Sequence, residues 1–579
     1  MHIVQRTLLA FIILFYTSSI LAQINVKVEI KGVSSEISAN VYLYLSIEQQ
    51  KGHTLLSEAR LRRLHKKAPQ QISNALQPYG YYRPTIKTEL KKTTSDHWLA
   101  TYTIDPGPPL LISQFNFTLD GEVKNDPEFK QLINKQPLNK SDVFNHLKYE
   151  NFKSDLAKLA AERGYFHARF KVHRVEIDLK LYEARVYLHY DGGTRFNFGE
   201  VIFDQNVLNP ELLRRFVTFK KGSPYTLYEL IDLQQALNNS DYFQTVEVSP
   251  GKPLPGVYEV PINIALTTRR RHQYTIGLGF GTNTGMRTKF GWGISPLNRQ
   301  GHRLDTEAKV SNVGYSLSTH YRVPVLNPRT DQLVYSAGIL NEKTDTSDST
   351  VRTISASLIR NRDEWHESIS INYQHEKYII ADDQGVSDLL IPSVNWRRIW
   401  NDTVIYTVHG LRFDIGLRGA SKQLLSDTDF FQLQGGVKFI NSFGSRNRFI
   451  THGRLGATWT NEFNQLPSTV RFFAGGSQSV RGFAYQSLGP VNNQGKVIGA
   501  KYLILGSIEF EHSLGDKWGV AVFYDTGNAI DNLNDKLERG AGLGFRWKSP
   551  VGSVRIDFAS ALSRDGHPWR LHINIGPDL

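Results

Sequence analysis

The chain has 579 residues, no cysteine and a net charge of +13. That length allows several domains, each with its own core. The missing thiols exclude a disulfide scaffold and cysteine chemistry.

The N-terminus reads Met1-His2-Ile3-Val4-Gln5-Arg6, runs apolar over residues 8–16 and closes on Ser18-Ser19-Ile20-Leu21-Ala22. A basic start, a short apolar core and a small residue before Gln23 predict a secretory signal peptide at 1–22. The apolar run is too short for a spanning helix, and no later run of about 18 apolar residues follows. Export argues against nucleic acid as the partner of the positive charge. The basic residues are dispersed except at Arg269-Arg270-Arg271, which fits an anchor at lipid phosphate headgroups or a solvated linker.

A weak internal repeat follows, each copy roughly 75 to 90 residues long. Copy one opens on Ile24, Val26, Val28 and Ile30, and copy two on Phe115, Phe117 and Leu119. Copy three opens on Phe196, Phe198, Val201 and Phe203. Helical periodicity comes next: Phe152, Leu156, Leu159 and Ala160 line one face in copy two, and Leu230, Leu233 and Leu237 in copy three. Each helix ends on a matching cluster, Gly80-Tyr81-Tyr82, Gly164-Tyr165-Phe166 or Asp241-Tyr242-Phe243, where a left-handed C-cap turns the aromatics back onto a sheet. Two strands follow, so each unit is strand, helix pair, two strands. The predicted boundaries are 23–107, 108–192 and 193–268. Small α+β units of this kind bind peptide more often than they do chemistry, and a free sheet edge accepts an added strand.

From His272 the period becomes two. Tyr274, Ile276, Leu278 and Phe280 alternate with Thr275, Gly277, Gly279 and Gly281. About sixteen such segments fill 269–579, and an even count suits antiparallel closure of a transmembrane β-barrel with strands of about ten residues. Abundant aromatics, Tyr 26, Phe 31 and Trp 9, fit interfacial girdles. The last strand, Trp569-Arg570-Leu571-His572-Ile573-Asn574-Ile575-Gly576, alternates in the same way. Glycine weakens a strand, and Pro577 cannot donate to a ladder. The seam between Gly277, Gly279, Gly281 and Ile573, Ile575, Gly576 is therefore expected to open most easily. The other reading of these glycines is relief of crowding in the lumen.

The longest connection carries Arg471-Phe472-Phe473-Ala474-Gly475-Gly476 and Val480-Arg481-Gly482-Phe483. If Val480 and Phe483 pack, Arg481 leaves bulk water and needs a partner. Ile508 and Phe510 facing lipid place Glu509 in the lumen. Val520, Val522 and Tyr524 place Asp525 there too, because a carboxylate facing lipid costs about 2 kcal/mol or more near the midplane. A guanidinium between two carboxylates makes a charge-assisted lock.

Val480-Arg481-Gly482-Phe483 resembles the loop-6 motif of the BamA/TamA superfamily, which joins periplasmic POTRA domains to a sixteen-stranded barrel. Ser507-Ile508-Glu509-Phe510 and Phe523-Tyr524-Asp525-Thr526-Gly527 resemble the strands whose lumen acids hold that arginine. Gly544-Phe545-Arg546-Trp547-Lys548-Ser549-Pro550-Val551-Gly552 is similar to its penultimate-hairpin signature. The resemblance covers essentially the whole exported chain. Three repeat units and the ending Ile575-Gly576-Pro577-Asp578-Leu579 look like the TamA branch. The resemblance implies a Gram-negative outer-membrane location with POTRA domains in the periplasm. It also implies a TamB-like inner-membrane-anchored partner, and clients that are outer-membrane proteins such as autotransporters. It implies assembly and insertion of client barrels, without enzymatic activity, cofactor or metal.

Two other functional classes make different demands on the chain. A polypeptide secretion conduit of the two-partner-secretion type requires the loop to leave the lumen. A barrel enzyme lacks support: His375-Glu376-Lys377-Tyr378-Ile379 has no second zinc-helix histidine. Gly277-Leu278-Gly279-Phe280-Gly281 misplaces the third glycine of a nucleotide loop, and no helix follows it.

Overall fold

The computed structural model describes residues 24–51, 56–94, 96–403, 406–549 and 552–576. The expected signal peptide at 1–22, Pro550-Val551 and Pro577-Asp578-Leu579 lie outside these described residues. The chain divides into two compact units. One comprises residues up to 200 with 219–230 and 250–262; the other comprises 201–218, 231–249 and 263 onward.

Three small mixed sheets follow one another. The first holds β1 (Asn25–Lys31), β2 (Thr85–Lys92) and β3 (His97–Asp105), ordered β1-β3-β2, with β1 parallel and β2 antiparallel to β3. The second holds β4 (Leu111–Asp120), β5 (Arg169–Asp178) and β6 (Glu183–Asp191) in the order β4-β6-β5. The third, β7 (Asn197–Asp204), β8 (Phe243–Pro250) and β9 (Glu259–Thr268), is ordered β7-β9-β8. Helices cross between the first and second strands of each. Ser34, Ser57 and Asn145 cap three of them by accepting from backbone N–H groups of the first turn. The predicted helix endings lie at Gly80, Gly164 and Asp241, with φ of 85°, 82° and 60°. The helical faces read from the sequence are core: Phe152, Leu156 and Ala160 are buried, as are Leu230, Leu233 and Leu237.

The second domain has a polar centre. Asp126, 5% exposed, accepts from Arg163 Nε at 2.7 Å, the Tyr165 hydroxyl at 3.0 Å and the Glu128 N–H at 3.1 Å. Burial alone would raise its pKa, but those three donors outweigh burial and hold the carboxyl below its usual range. A depressed folded pKa contributes stability that is complete above the unfolded value of about 3.9 and is lost as pH falls through the folded value. We expect Asp126→Ala to cost this domain about 3 kcal/mol at pH 7, because it strands a half-buried guanidinium. Hydrogen exchange at 108–192 of the full chain reads this out. The gap between wild type and variant should narrow at pH 3, and equal protection at pH 7 would refute the assignment.

The second unit contains one antiparallel sheet of sixteen strands in strict chain order, β10 to β25. It opens with β10 (His272–Gly281) and β11 (Gly285–Ile294). It closes with β20 (Asn447–Trp459), β21 (Tyr502–Ser513), β22 (Trp518–Ile530), β23 (Glu538–Ser549), β24 (Gly552–Ala561) and β25 (Trp569–Gly576). Lipid-facing side chains alternate along it: Ile276 is 74% and Leu278 82% exposed. Strand length departs from the expected ten residues in β14 (Asp331–Lys343), β15 (Ser347–Arg362), β16 (Trp365–Ile380) and β17 (Asp383–Asn401), which run 13, 16, 16 and 19 residues. Their extra residues lie at one end of the barrel, where Ser347-Asp348-Ser349 and Asp383-Gln384 continue the ladder in polar sequence. Of the triple arginine, Arg269 pairs with Asp241 at 3.2 Å and Arg271 donates to the Leu297 carbonyl at 2.6 Å.

Candidate functional site inside the barrel

The connection between β20 and β21 folds into the lumen. Short backbone bridges, Phe472 with Ala500 and Ala474 with Leu488, give it a doubled-back shape. Its apolar side chains build a small core against the wall: Val480 is fully buried and Phe483 nearly so, packed with Leu503, Leu505, Ala529 and Ala561. Hydrophobic burial of the flanks thus delivers the arginine between them to the barrel wall.

Arg481 is 6% exposed. Its Nε donates to Asp525 Oδ2 at 2.8 Å and one terminal nitrogen donates to Oδ1 at 2.9 Å, a bidentate pair. The Arg481 backbone N–H reaches the same carboxylate at 3.0 Å. The other terminal nitrogen donates to Glu509 at 2.6 Å and to Asp557 at 3.1 Å. The guanidinium also lies 3.4 Å from the centre of the Phe523 ring.

The arrangement extends well past the predicted trio. Arg546 donates to Glu509 at 2.6 Å, Glu511 at 2.8 Å and Asp557 at 2.6 Å. Arg448 donates to Glu511 at 2.7 Å. Three guanidiniums and four carboxylates therefore interlock across β20 to β24, all nearly buried. The two-carboxylate lock is thus incomplete as an expectation, because Asp557 is a third acid on Arg481. Gly482 donates its N–H to His572 Nε2 on β25 at 3.0 Å.

The start of the loop is held elsewhere. Glu376 on β16, fully buried, accepts from Ser468 at 2.6 Å, from Gln374 at 2.9 Å and from the Thr469 hydroxyl. Arg471 caps three backbone carbonyls, of Asn464, Leu466 and Ile498, each at 2.9 Å. A cavity of about 460 Å³ remains beside the lock, lined in part by Arg287, Arg454 and Arg481.

The seam residues lie at the two ends of the sheet, and no ladder joins β10 to β25 among the described residues. The backbone contact there is Thr282 N–H to the Ile573 carbonyl at 3.3 Å, with Ile573 N–H donating to the Thr282 hydroxyl at 2.6 Å. Gly277, Gly279 and Gly281 lie along β10, and Ile573, Ile575 and Gly576 along β25. A Cβ at Gly277 would meet nothing closer than the Lys289 Cβ at 3.6 Å, and one at Gly281 nothing closer than 3.5 Å. Space does not demand glycine at either position, whereas a Cβ at Gly279 would lie 2.7 Å from Arg287 Nε and 3.2 Å from its Cγ, so crowding in the lumen bears on that glycine.

Comparison with known proteins places this architecture. The Omp85 superfamily domain matches residues 266–578, more than half of the chain. The chain belongs to the Omp85 superfamily. Two further families match this Omp85 chain: "POTRA domain TamA domain 1" at 27–106 and the "Surface antigen variable number repeat" POTRA family at 196–269. The outer membrane protein assembly factor BamA of Nitratidesulfovibrio vulgaris is 30% identical over 141 residues, 22% of this chain and 18% of that protein. The chain thus spans less than a fifth of that relative's length. The crystal structure of Haemophilus ducreyi BamA lacking POTRA domains 1–3 shares the fold. Its TM-score is 0.69 at 17% identity, covering 80% of this chain and 99% of that one. CdiB from Acinetobacter baumannii aligns with a TM-score of 0.44 at 14% identity, over 92% of this chain and 98% of its own.

Proposed function

We propose that this Omp85 chain is a non-enzymatic assembly factor. It folds and inserts client β-barrels, of autotransporter type, through the seam between β10 and β25. The observation that carries this reading is the seam itself, where, among the described residues, two neighbouring edges meet in a short contact at Thr282 and Ile573 and no ladder. Unpaired backbone in hydrocarbon costs several kcal/mol per group, so a parted seam favours any strand that pairs with it. A client strand supplies that pairing and is templated in turn. The TamA-type first domain and three tandem POTRA units support placement in the TamA branch. On that placement the POTRA domains stand in the periplasm of a Gram-negative cell and engage a TamB-like, inner-membrane-anchored partner. A secretion conduit requires the loop to vacate the lumen, and the lock at Arg481 and the second hold at Glu376 both oppose that.

The test uses the absence of native cysteine. The contact at Thr282 and Ile573 shows where to place pairs: across residues 280–282 and 571–573. Client insertion is then measured with each pair oxidised and reduced. Oxidation should abolish insertion and reduction should restore it. Unchanged insertion behind a verified crosslink would rule out the seam.

A further inference from the structure

The guanidinium cluster holds the loop to β20 through β24, and all of these strands lie on one side of the seam. It cannot by itself hold the first hairpin. That contact is made a few residues upstream. Asn283, in the turn after β10, donates from Nδ2 to the Ser477 hydroxyl at 3.0 Å. Its Oδ1 accepts the Ser477 N–H at 3.4 Å. Gly476 brings the loop backbone close enough that a Cβ there would lie 3.0 Å from Asn283 Nδ2. Five residues later the same loop binds the last strand, through Gly482 N–H and His572 Nε2. His572 is nearly buried, and on the neighbouring strand it faces Asp557, the third acid of the lock. Accepting at Nε2 places the imidazole proton on Nδ1.

The geometry points to a clasp. Ser477 on Asn283 ties the lumen loop to the first hairpin, Gly482 on His572 ties it to the last strand, and the loop therefore bridges the seam from inside and sets how readily it parts. The clasp deepens the proposed insertion function, since it regulates the same seam. It divides labour within the loop: Arg481 seats the loop, and Asn283 couples the seated loop to the edge that must move. Asn283 and Ser477 are positioning residues. Their loss frees β10 and β11 while leaving Arg481 bound.

The experiment uses the full chain in lipid nanodiscs with no client present. Spin labels at Phe280 and Leu571, both lipid-facing, report the seam. A second pair at Asn493 and Asp516 reports whether the loop stays seated. Asn283→Ala and Ser477→Ala should each add a seam population longer by at least one strand spacing, about 5 Å, with the loop pair unchanged. The double variant should add nothing beyond Asn283→Ala, which removes both bonds, whereas Ser477→Ala leaves the Ser477 N–H on Asn283 Oδ1 and should widen the seam less. An unchanged seam distribution in both variants overturns the clasp. So does a loop pair that shifts together with the seam, since Asn283 would then seat the loop generally. Client insertion is measured on the same variants. If the seam widens and insertion does not respond, the clasp stands and the seam-insertion reading falls.

Discussion

Arg481→Ala is expected to destabilise the barrel by about 3–5 kcal/mol, the range for removing one partner from a buried ion-pair network. The reason lies in the charges left behind. Asp525 loses a bidentate partner, and Glu509 and Asp557 lose one donor each. Arg546 still serves Glu509 and Asp557 but does not reach Asp525. Asp525→Asn should cost less, because these seven side chains carry one more carboxylate than guanidinium and the variant removes that excess. Arg481→Lys should fall between the two: it keeps the charge and loses the fork geometry. Reversing one pair, Arg481→Glu with Asp525→Arg, should not recover stability, because the new glutamate faces Glu509 and Asp557. Unfolding by denaturant in lipid, followed by the gel mobility shift of folded barrels, ranks the four. If Asp525→Asn proves as costly as Arg481→Ala, the charge argument is wrong.

That network also shows how far alternation alone reaches. Glu509 was legible because the apolar, lipid-facing Ile508 and Phe510 bracket it, and Asp525 because Val520, Val522 and Tyr524 set the alternation before it. The same signal brackets Asp557 between Ile556 and Phe558, Arg546 between Phe545 and Trp547, and His572 between Leu571 and Ile573. Reading outward from one arginine to the nearest acids stopped short of them. Glu376 is a different case. It sits between His375 and Lys377, in the polar extension of β16, where period-two contrast vanishes. Its partners Ser468 and Thr469 are 92 and 93 residues away and bear no pattern of their own. The repeat domains were readable down to their helix caps because local periodicity and left-handed endings encode them. The bond between Asn283 and Ser477 joins residues 194 apart and has no local signature.

Gly540→Ala should unseat the loop without touching a charge. Gly540 lies on β23 between Asp525 of β22 and Ala561 of β24. A Cβ there would sit 2.0 Å from the Arg481 carbonyl oxygen and 3.1 Å from its carbon. Both are backbone atoms, so no rotamer change relieves the overlap, and the Arg481 peptide must retreat by more than an ångström. The bonds at 2.6 to 3.1 Å that seat the guanidinium do not survive such a shift together. The expected loss is about 4 kcal/mol of loop-seating free energy, roughly a thousandfold in that equilibrium. Trypsin cleavage after Arg481, buried when seated, reports it: the wild-type loop should resist and Gly540→Ala should be cut. Gly515→Ala, in the β21–β22 turn with no atom within 4 Å of the added Cβ, serves as the control and should behave as wild type. Arg481→Ala and Gly540→Ala then separate two roles. Where both unseat the loop and both change client insertion, loop position is what matters. Where only Arg481→Ala changes insertion, the buried charge itself does the work. A Gly540→Ala protein that keeps Arg481 protected would show that β23 does not bear on the loop as the geometry requires.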